Sequence, residues 1–286
     1  MYTLTVKIAA SGTIYLDQSK ENPVPDPSDY GHMWYTISNG TSHNDYGFAP
    51  ETHGKSGGPG AIKDDDSKAY QDEYYTGTIV ITAQQYNKLK SFGKNPDKAP
   101  YNFSKNYKGL SHNCIDFVWK ALEISGFNPG ASDGQFLPTF NADNVDKIFY
   151  ESLLGNTADW DESKPDGGNY RVVYGSRKGD NLVISELKTQ TKSRPEIIFN
   201  SIYTGDGDDT IELNTKAVSS LAQKLLLIDG GEGDDTLKVT PQNDTLDLTN
   251  AEIKEIEQVE MGGGNDTVKA PTSASGPEKY YGGDDN

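Results

Sequence analysis

The residue best suited to chemistry is the single cysteine, Cys114, in the run SHNCIDFVWKAL (111–122). Ile115, Val118 and Trp119 are spaced to form one apolar face of a helix that begins at Cys114. The free amides and dipole of a first helical turn favour a thiolate and can stabilise an oxyanion. The sequence therefore predicts that Cys114 is a nucleophile. The alternative is a small buried residue that only packs.

A nucleophilic cysteine needs a base, and the chain has four histidines. His32 follows Gly31 on a predicted strand, which is a rigid position suited to a base. His112 lies two residues before the cysteine. The other two are His43, at the return of a predicted hairpin, and His53, in a glycine-rich loop. We predict that His32 is the base.

Two runs that contain these residues carry a family resemblance. GHMWYTI (31–37) and YNFSKNYKGLSHNCIDFVWKALEISGF (101–127), with a Thr-capped helix between them, resemble the circularly permuted NlpC-type branch of papain-like cysteine peptidases and amidases. The resemblance covers roughly residues 28–130. It implies that Cys114 attacks, that His32 serves as base and that the Cys114 amide helps to form the oxyanion hole.

Many bacterial effector and toxin domains, including type VI secretion effectors, resemble this arrangement. The implied function is a secreted effector with amidase or endopeptidase activity on the amide bonds of peptidoglycan stem peptides. The implied partners are that substrate, secretion machinery and a cognate immunity protein. Catalysis would need no cofactor.

The group that would orient His32 is predicted from the hairpin. If the chain folds back about residues 39–40, His32 lies opposite Gly47, and Asp45 lies on the same face within diagonal reach. We therefore predict that Asp45 orients His32. A slip of one residue would exchange the faces and favour Asn44, Glu51 or a backbone carbonyl.

Other functions use the same residues. SHNCI (111–115) also resembles the Ser-His-Gly-Cys-Ile motif of L,D-transpeptidases, but Asn113 replaces the glycine and Asp116 replaces an arginine. A lipid acyl hydrolase or acyltransferase, or a protease directed at host proteins, could be built on the same fold. A non-enzymatic, calcium-dependent binding module would leave Cys114 with a packing role.

A second pattern repeats near the carboxyl end. TGDGDDTIE (204–212), GGEGDDTLK (230–238) and MGGGNDTVK (261–269) superpose without gaps and resemble the calcium-binding nonapeptide of RTX proteins. The spacing of 26 and then 31 residues departs from the tandem nine of that family. The alternative is a set of turns without metal. The resemblance implies structural Ca²⁺ held by residues of these turns, namely Asp206, Gly207, Asp208, Asp209, Gly233, Asp234, Asp235, Gly264 and Asp266.

Composition limits the partners. The 286 residues carry a formal net charge of -17. This charge argues against nucleic acid and anionic membranes, because it repels phosphate groups. The chain has no apolar run of about 20 residues and no signal peptide, so no transmembrane segment is expected. We expect export by a leaderless type VI or type I route, and action in the periplasm or outside the producing cell.

The expected architecture has two parts. Residues 1–160 are predicted to form an α+β papain-like domain, with an antiparallel sheet plus helices. Residues 161–286 are predicted to form an all-β RTX-like β-roll or solenoid. The segment 156–169, rich in acids, Pro and Gly, marks the boundary. KDDDSKAYQDE (63–73) is predicted to be a polar loop.

Overall fold

The computed structural model describes most of the chain. The described residues are 1–18, 20–52, 54–131, 134–154, 170–185, 187, 199–218, 225–272 and 276–283. The chain divides into an amino-terminal unit, Met1–Phe149, and a carboxyl-terminal unit, Tyr150–Asn286. The predicted domain boundary at 160/161 and its marker segment 156–169 lie outside the described residues.

The amino-terminal unit is built on an antiparallel sheet. Its larger strands follow the order β7-β1-β4-β5-β6-β8. The strands are β1 (Tyr2–Ala9), β2 (Ile14–Tyr15), β3 (Asp26–Pro27), β4 (His32–Ser38), β5 (His43–Pro50), β6 (Gly57–Lys63), β7 (Tyr75–Ile81) and β8 (Asn106–Lys108). The helices are α1 (Asp66–Ala69), α2 (Ala83–Lys94), α3 (Cys114–Ser125), a 3-10 turn (Pro138–Asn141) and α4 (Ala142–Leu154).

Strand β1 lies inside this sheet, between β4 and β7. Leu4, Val6 and Ile8 alternate along it and are fully buried, as the period of two predicts. Helices α2 and α3 pack together, and the rings of Phe92 and Phe117 stack between them at 4.8 Å. The core of this unit therefore includes the buried face of β1 and the interface between α2 and α3.

The two helices begin and end where local signals predict. Thr82 and Gln85 form a reciprocal capping box before α2, and Asn113 and Asp116 form another before α3. Gly126 ends α3 with a φ of +89°, a left-handed conformation that glycine adopts at low cost. The predicted position of Cys114 in a first helical turn is confirmed.

The hairpin between β4 and β5 has a different register from the predicted one. Residues 39–42 form a four-residue loop, because the Asn39 side chain accepts hydrogen bonds from the backbone amides of Thr41 and Ser42. The wider loop moves every pair along by two residues. Gly47 therefore lies opposite Trp34 instead of His32.

The carboxyl-terminal unit consists of parallel strands in register. Its rows are β9-β11-β13-β16, β10-β12-β14-β17-β19 and β15-β18. The elements are β9 (Tyr170–Ser176), β10 (Asn181–Ile184), β11 (Phe199–Asp206), β12 (Thr210–Leu213), α5 (Thr215–Val218), β13 (Leu225–Glu232), β14 (Thr236–Lys238), β15 (Thr245–Asp247), β16 (Ala251–Lys254), β17 (Gln258–Glu260), β18 (Thr267–Lys269) and β19 (Lys279–Tyr281).

The three repeats do not form a single stack. The first lies in register on the second, with Thr210 paired to Thr236. The third, at 261–269, lies instead on residues 240–248, with Thr267 paired to Thr245. The segment TPQNDTLDL (240–248) is thus a degenerate copy of the repeat, and the sequence pattern does not reveal it because its glycines are absent. Its presence explains why the spacing changes from 26 to 31 residues.

The predicted α+β papain-like domain followed by a separate RTX-like β-roll is wrong. Within the described part of the chain the structure is mostly β, with antiparallel strands in the amino-terminal unit, parallel strands in the carboxyl-terminal unit, and only short helices. Alternating apolar residues identify strands but not their partners. Strand β1 pairs with β7, about 70 residues away in sequence, and no local pattern specifies that pairing.

Candidate active site

His32 is the first residue of β4 and is 4 % exposed. It lies opposite Ala9 of β1. The preceding Gly31 has a φ of +80°, and a Cβ there would lie 2.3 Å from the Ala9 carbonyl oxygen. Only glycine suits this crowded, left-handed position. The sheet and this bend together hold the imidazole in one place.

The carboxylate that contacts His32 is Asp66. Its Oδ2 lies 3.0 Å from His32 Nε2, and the two side chains are 3 % and 5 % exposed. Asp66 begins α1, within the segment predicted to be a polar loop. Asp66 and Ala69 of this short helix, and Tyr70 directly after it, are all buried. Their spacing of i, i+3 and i+4 is the sequence signal that could have revealed it.

Asp45, the residue predicted to orient His32, makes other contacts. Its Oδ1 accepts a hydrogen bond from the Thr36 hydroxyl at 2.6 Å, and its Oδ2 accepts one from the Ser67 amide at 3.0 Å. The register shift of the hairpin is the reason, since it places Asp45 opposite Thr36. Of the alternatives that the sequence left open, Asn44 lies opposite Ile37 and Glu51 follows the end of β5.

The space that Asp66 occupies exists because residue 47 is a glycine. A Cβ on Gly47 would lie 1.8 Å from Asp66 Oδ2 and 2.8 Å from His32 Nε2. Real Cβ atoms do not approach other atoms this closely. Strand β5 can therefore pass beside the His32–Asp66 pair only if residue 47 has no side chain.

Cys114 faces the same pair. It opens α3 and is 5 % exposed. It lies close enough to His32 to be one of the groups that raise the pKa of the imidazole. Since Asp66 holds Nε2 of the imidazole, Nδ1 is the nitrogen available to exchange a proton with the sulfur. Cys114, His32 and Asp66 thus have the geometry of a nucleophile, a base and an orienting acid.

Aromatic rings cover one side of the imidazole. The Tyr70 ring stacks on His32 with centroids 5.0 Å apart, and the Trp34 ring stacks at 5.8 Å. Trp34 and Tyr70 also stack on each other at 5.3 Å. These rings keep water away from the pair, which strengthens electrostatic interactions within it.

The environment favours the charged form of His32. Burial alone lowers the pKa of the imidazole. The charge and hydrogen bond of Asp66, followed by the hydrogen bond and charge of Cys114, outweigh burial and raise the pKa to about 10. The imidazolium form of His32 is therefore stabilised by Asp66 and Cys114.

Tyr107 of β8 is a further group at the site that the sequence did not predict. Tyr107 and Cys114 line the same cavity, and Cys114 is one of the groups that shift the pKa of the phenol. Burial, followed by the charge of Cys114, raises the pKa of this phenol well above its usual range. The hydroxyl remains protonated and can donate to an oxygen beside the sulfur. The sequence offers one indication of this role, the position of Tyr107 seven residues before the cysteine, and this spacing is not diagnostic by itself.

A cavity of about 950 Å³ leads to these residues, and Cys114, His32, Tyr70 and Tyr107 all line it. Its wall carries charges of both signs and three large side chains that are 60–76 % exposed. The charged residues are Lys55, Lys108, Asp26 and Asp29, and the large ones are Tyr30, Leu110 and Phe136.

The other histidines that the structure describes do not contact the nucleophile in this way. His112 donates from Nε2 to the Ser104 carbonyl oxygen at 2.7 Å and packs against the Phe103 ring. His43 is exposed on β5. His53 lies outside the described residues.

The predicted calcium ligands divide into buried and exposed groups. Asp209, Asp235 and Asp266 each have a buried Oδ2 without a hydrogen-bond partner. Their Oδ1 atoms accept the backbone amides of Asp180, Asp209 and Asp244, one turn away along each row. In contrast, the side chains of Asp206, Asp208 and Asp234 are exposed.

Burial is the main cause that raises the pKa of Asp209 to about 6 and that of Asp235 to about 7. A bound cation would offset the negative charge of each aspartate and would coordinate the Oδ2 atom that lacks a hydrogen-bond partner. Gly207, Gly233 and Gly264 are the left-handed turn residues beside these acids. Within the described ranges, no cluster of three or more His, Cys, Asp or Glu side chains has the arrangement of a metal site.

Comparison with known proteins finds no matching family model, no matching curated protein and no matching solved structure. The resemblances drawn from the motifs therefore remain predictions. Among the helices that the structure describes, none is both long enough and apolar enough to span a membrane.

The space at Gly47 gives a first prediction. Gly47→Ala will push Asp66 away from His32 and slow alkylation of the Cys114 thiol at pH 7 by roughly tenfold or more, because the imidazolium partner is misplaced. Mass spectrometry after iodoacetamide treatment measures this rate. Gly282→Ala is the control, since a Cβ there would meet no atom within 4 Å. An unchanged rate in Gly47→Ala would contradict the prediction.

The raised pKa of His32 gives a second prediction. Between the unfolded pKa of about 6.5 and the folded pKa of about 10, the folded protein keeps a proton that the unfolded chain has lost. The stabilisation is thus complete below about 6.5 and is lost as the pH rises through about 10, at a rate of at most about 1.4 kcal/mol per pH unit.

Denaturant unfolding at pH 6, 8 and 10 tests this dependence. The difference in unfolding free energy between the wild type and His32→Gln should shrink as the pH rises. His43→Gln, which changes an exposed histidine, should show no such trend. NMR titration that places the His32 pKa near 6.5 would refute the prediction.

Proposed function

We propose that this protein is a cysteine hydrolase that cleaves acyl bonds, in the first place amide bonds, with Cys114, His32 and Asp66. The observation that carries the proposal is the buried His32–Asp66 contact beside a cysteine at a helix start, with His32 and Cys114 both lining a cavity of about 950 Å³. A histidine held between an acid and a thiol is the arrangement that general base catalysis requires.

In the proposed reaction the Cys114 thiolate attacks the carbonyl carbon and forms a tetrahedral oxyanion. The Cys114 amide and the Tyr107 hydroxyl donate hydrogen bonds to this oxygen. The C–N bond then breaks, the His32 imidazolium gives its proton to the leaving amine, and a thioester remains on the sulfur. Neutral His32 next removes a proton from water, whose oxygen attacks the thioester. The acid leaves, and the imidazolium–thiolate pair is restored.

For the substrate we propose the amide bonds of peptidoglycan stem peptides, as the motif resemblance implies. Stem peptides carry both carboxylates and amines. The cavity wall offers partners for each, with Lys55 and Lys108 on one hand and Asp26 and Asp29 on the other. A secreted effector that acts in the periplasm would encounter this polymer.

A second candidate function is hydrolysis of a lipid acyl ester. It is favoured by Tyr30, Leu110 and Phe136, because large apolar side chains exposed around one cavity are unusual on a soluble surface. The same sulfur, imidazole and donors would serve an ester, with an alcohol as the leaving group.

We also propose that the turns of the carboxyl-terminal unit bind structural Ca²⁺. The support is the orphan, buried Oδ2 of Asp209, Asp235 and Asp266. Calcium bound there would neutralise a strongly acidic segment and couple its folding to the calcium level outside cells.

Activity assays test the enzyme proposal. The wild type should release amines from purified sacculi, Cys114→Ala should not, and Asp66→Asn should lose on the order of 10²- to 10⁴-fold in rate. His112→Gln should keep its activity, whereas an L,D-transpeptidase-like site would lose it. Hydrolysis of long-chain acyl esters without action on sacculi would favour the lipid function. Equal activity of the wild type and Cys114→Ala would exclude both.

Thermal unfolding tests the calcium proposal. Saturating Ca²⁺ should raise the melting temperature above that in EGTA, since a ligand at 100 times its Kd stabilises by about 2.7 kcal/mol. Asp235→Asn should reduce this gain. Asp247→Asn, which removes a carboxylate paired with Lys269, should preserve it. Identical melting curves with Ca²⁺ and EGTA would contradict calcium binding.

A further inference from the structure

Helix α1, which carries Asp66, does not hold itself in place. It has four residues, too few to be stable alone, and its N-cap residue Asp65 makes no side-chain capping bond. The first amides of any helix lack partners within the helix. In α1 one of these amides, that of Ser67, immediately follows the carboxylate that contacts His32.

A residue of the sheet supplies the capping bond that Asp65 does not make. Asp45 of β5 accepts the Ser67 amide on Oδ2 at 3.0 Å, while its Oδ1 accepts the Thr36 hydroxyl of β4 at 2.6 Å. The carboxylate therefore bridges the sheet to the start of α1. A negative charge at this end of a helix is also favoured by the helix dipole.

Residue 67 is held from its side chain as well. The Ser67 hydroxyl lies 3.1 Å from Trp34 Nε1 and 3.2 Å from Lys7 Nζ, both of which donate to it. The three contacts fix the peptide unit that joins Ser67 to Asp66. A displacement of this unit would move the Asp66 carboxylate, which has no room to spare beside Gly47.

We propose that Asp45 is a positioning residue for the active site: it holds α1 through the Ser67 amide and so keeps Asp66 on His32. The inference rests on the proposed function, because the pair that it positions is the proposed base and its orienting acid. Asp45 touches neither the imidazole nor the sulfur, so its effect reaches Cys114 only through Asp66 and His32.

The test uses the thiol itself and needs no known substrate. Cys114 is the only cysteine of the chain, so iodoacetamide labelling followed by mass spectrometry reports on one site. Rates are measured from pH 5 to 9 in the full-length protein. The wild type should react faster at pH 7 than a free thiol and keep its reactivity at lower pH.

Asp45→Ala should slow labelling at pH 7 by roughly tenfold and move the midpoint of the pH profile upward, because the imidazolium is no longer held beside the thiolate. Asp45→Asn is the conservative variant. Its amide oxygen can accept the Ser67 amide and its nitrogen can donate to Thr36, so its profile should stay within about twofold of the wild type. Asp247→Asn controls for loss of one acidic charge elsewhere.

The outcomes separate the two proposals. A wild-type thiol no more reactive than free cysteine would overturn both. A reactive wild type with an unchanged profile in Asp45→Ala would overturn only the role of Asp45, as would equal losses in Asp45→Ala and Asp45→Asn. If Asp45→Ala does not fold, Asp45→Ser replaces it, since serine is too short to reach the Ser67 amide.

Discussion

The contact between His32 and Asp66 is the constraint that the amino-terminal unit has to satisfy. Both side chains are almost fully buried, 3.0 Å apart. A buried charge without its partner costs several kcal/mol, whereas a paired and hydrogen-bonded charge is tolerated. The surrounding residues must therefore keep the His32 and Asp66 side chains in contact. Cys114 lies beside the imidazole that Asp66 holds, and in the proposed reaction this imidazolium is the cation next to the sulfur.

The surrounding elements meet this constraint in separate ways. Gly47 leaves space for the carboxylate, and Tyr70 and Trp34 cover the ring. The sheet supplies His32 from one strand, and α3 brings Cys114 with its free amides. The proposed site is assembled by tertiary structure, because no two of the three proposed catalytic residues are close in sequence.

The sequence predicts the features that depend on neighbouring residues and misses those that depend on contacts distant in sequence. The start of α3 at Cys114 and the capping box at Thr82 depend on neighbours within four residues, so local patterns reveal them. The role of Asp66 depends on a two-residue register shift in the β4–β5 hairpin and on a four-residue helix. A turn dipeptide such as Asn39-Gly40 predicts a hairpin but not the loop length, which the Asn39 side chain decides here. The pairing of β1 with β7 is equally invisible to a local pattern.

The carboxyl-terminal unit shows how a repeat can be found while its stacking is misjudged. Three good copies suggest one column, yet Asp266 Oδ1 accepts a hydrogen bond from the backbone amide of Asp244, which lies in a copy that lacks the glycines of the motif. The three repeats share a structural feature that the degenerate copy lacks. Asp209, Asp235 and Asp266 each accept a backbone amide one turn away on Oδ1 and leave Oδ2 buried without a hydrogen-bond partner. In the degenerate copy, Asp244 Oδ2 accepts hydrogen bonds from Thr240. An unpaired carboxylate oxygen repeated at equivalent positions is costly. Its recurrence at Asp209, Asp235 and Asp266 is the observation on which the calcium proposal rests.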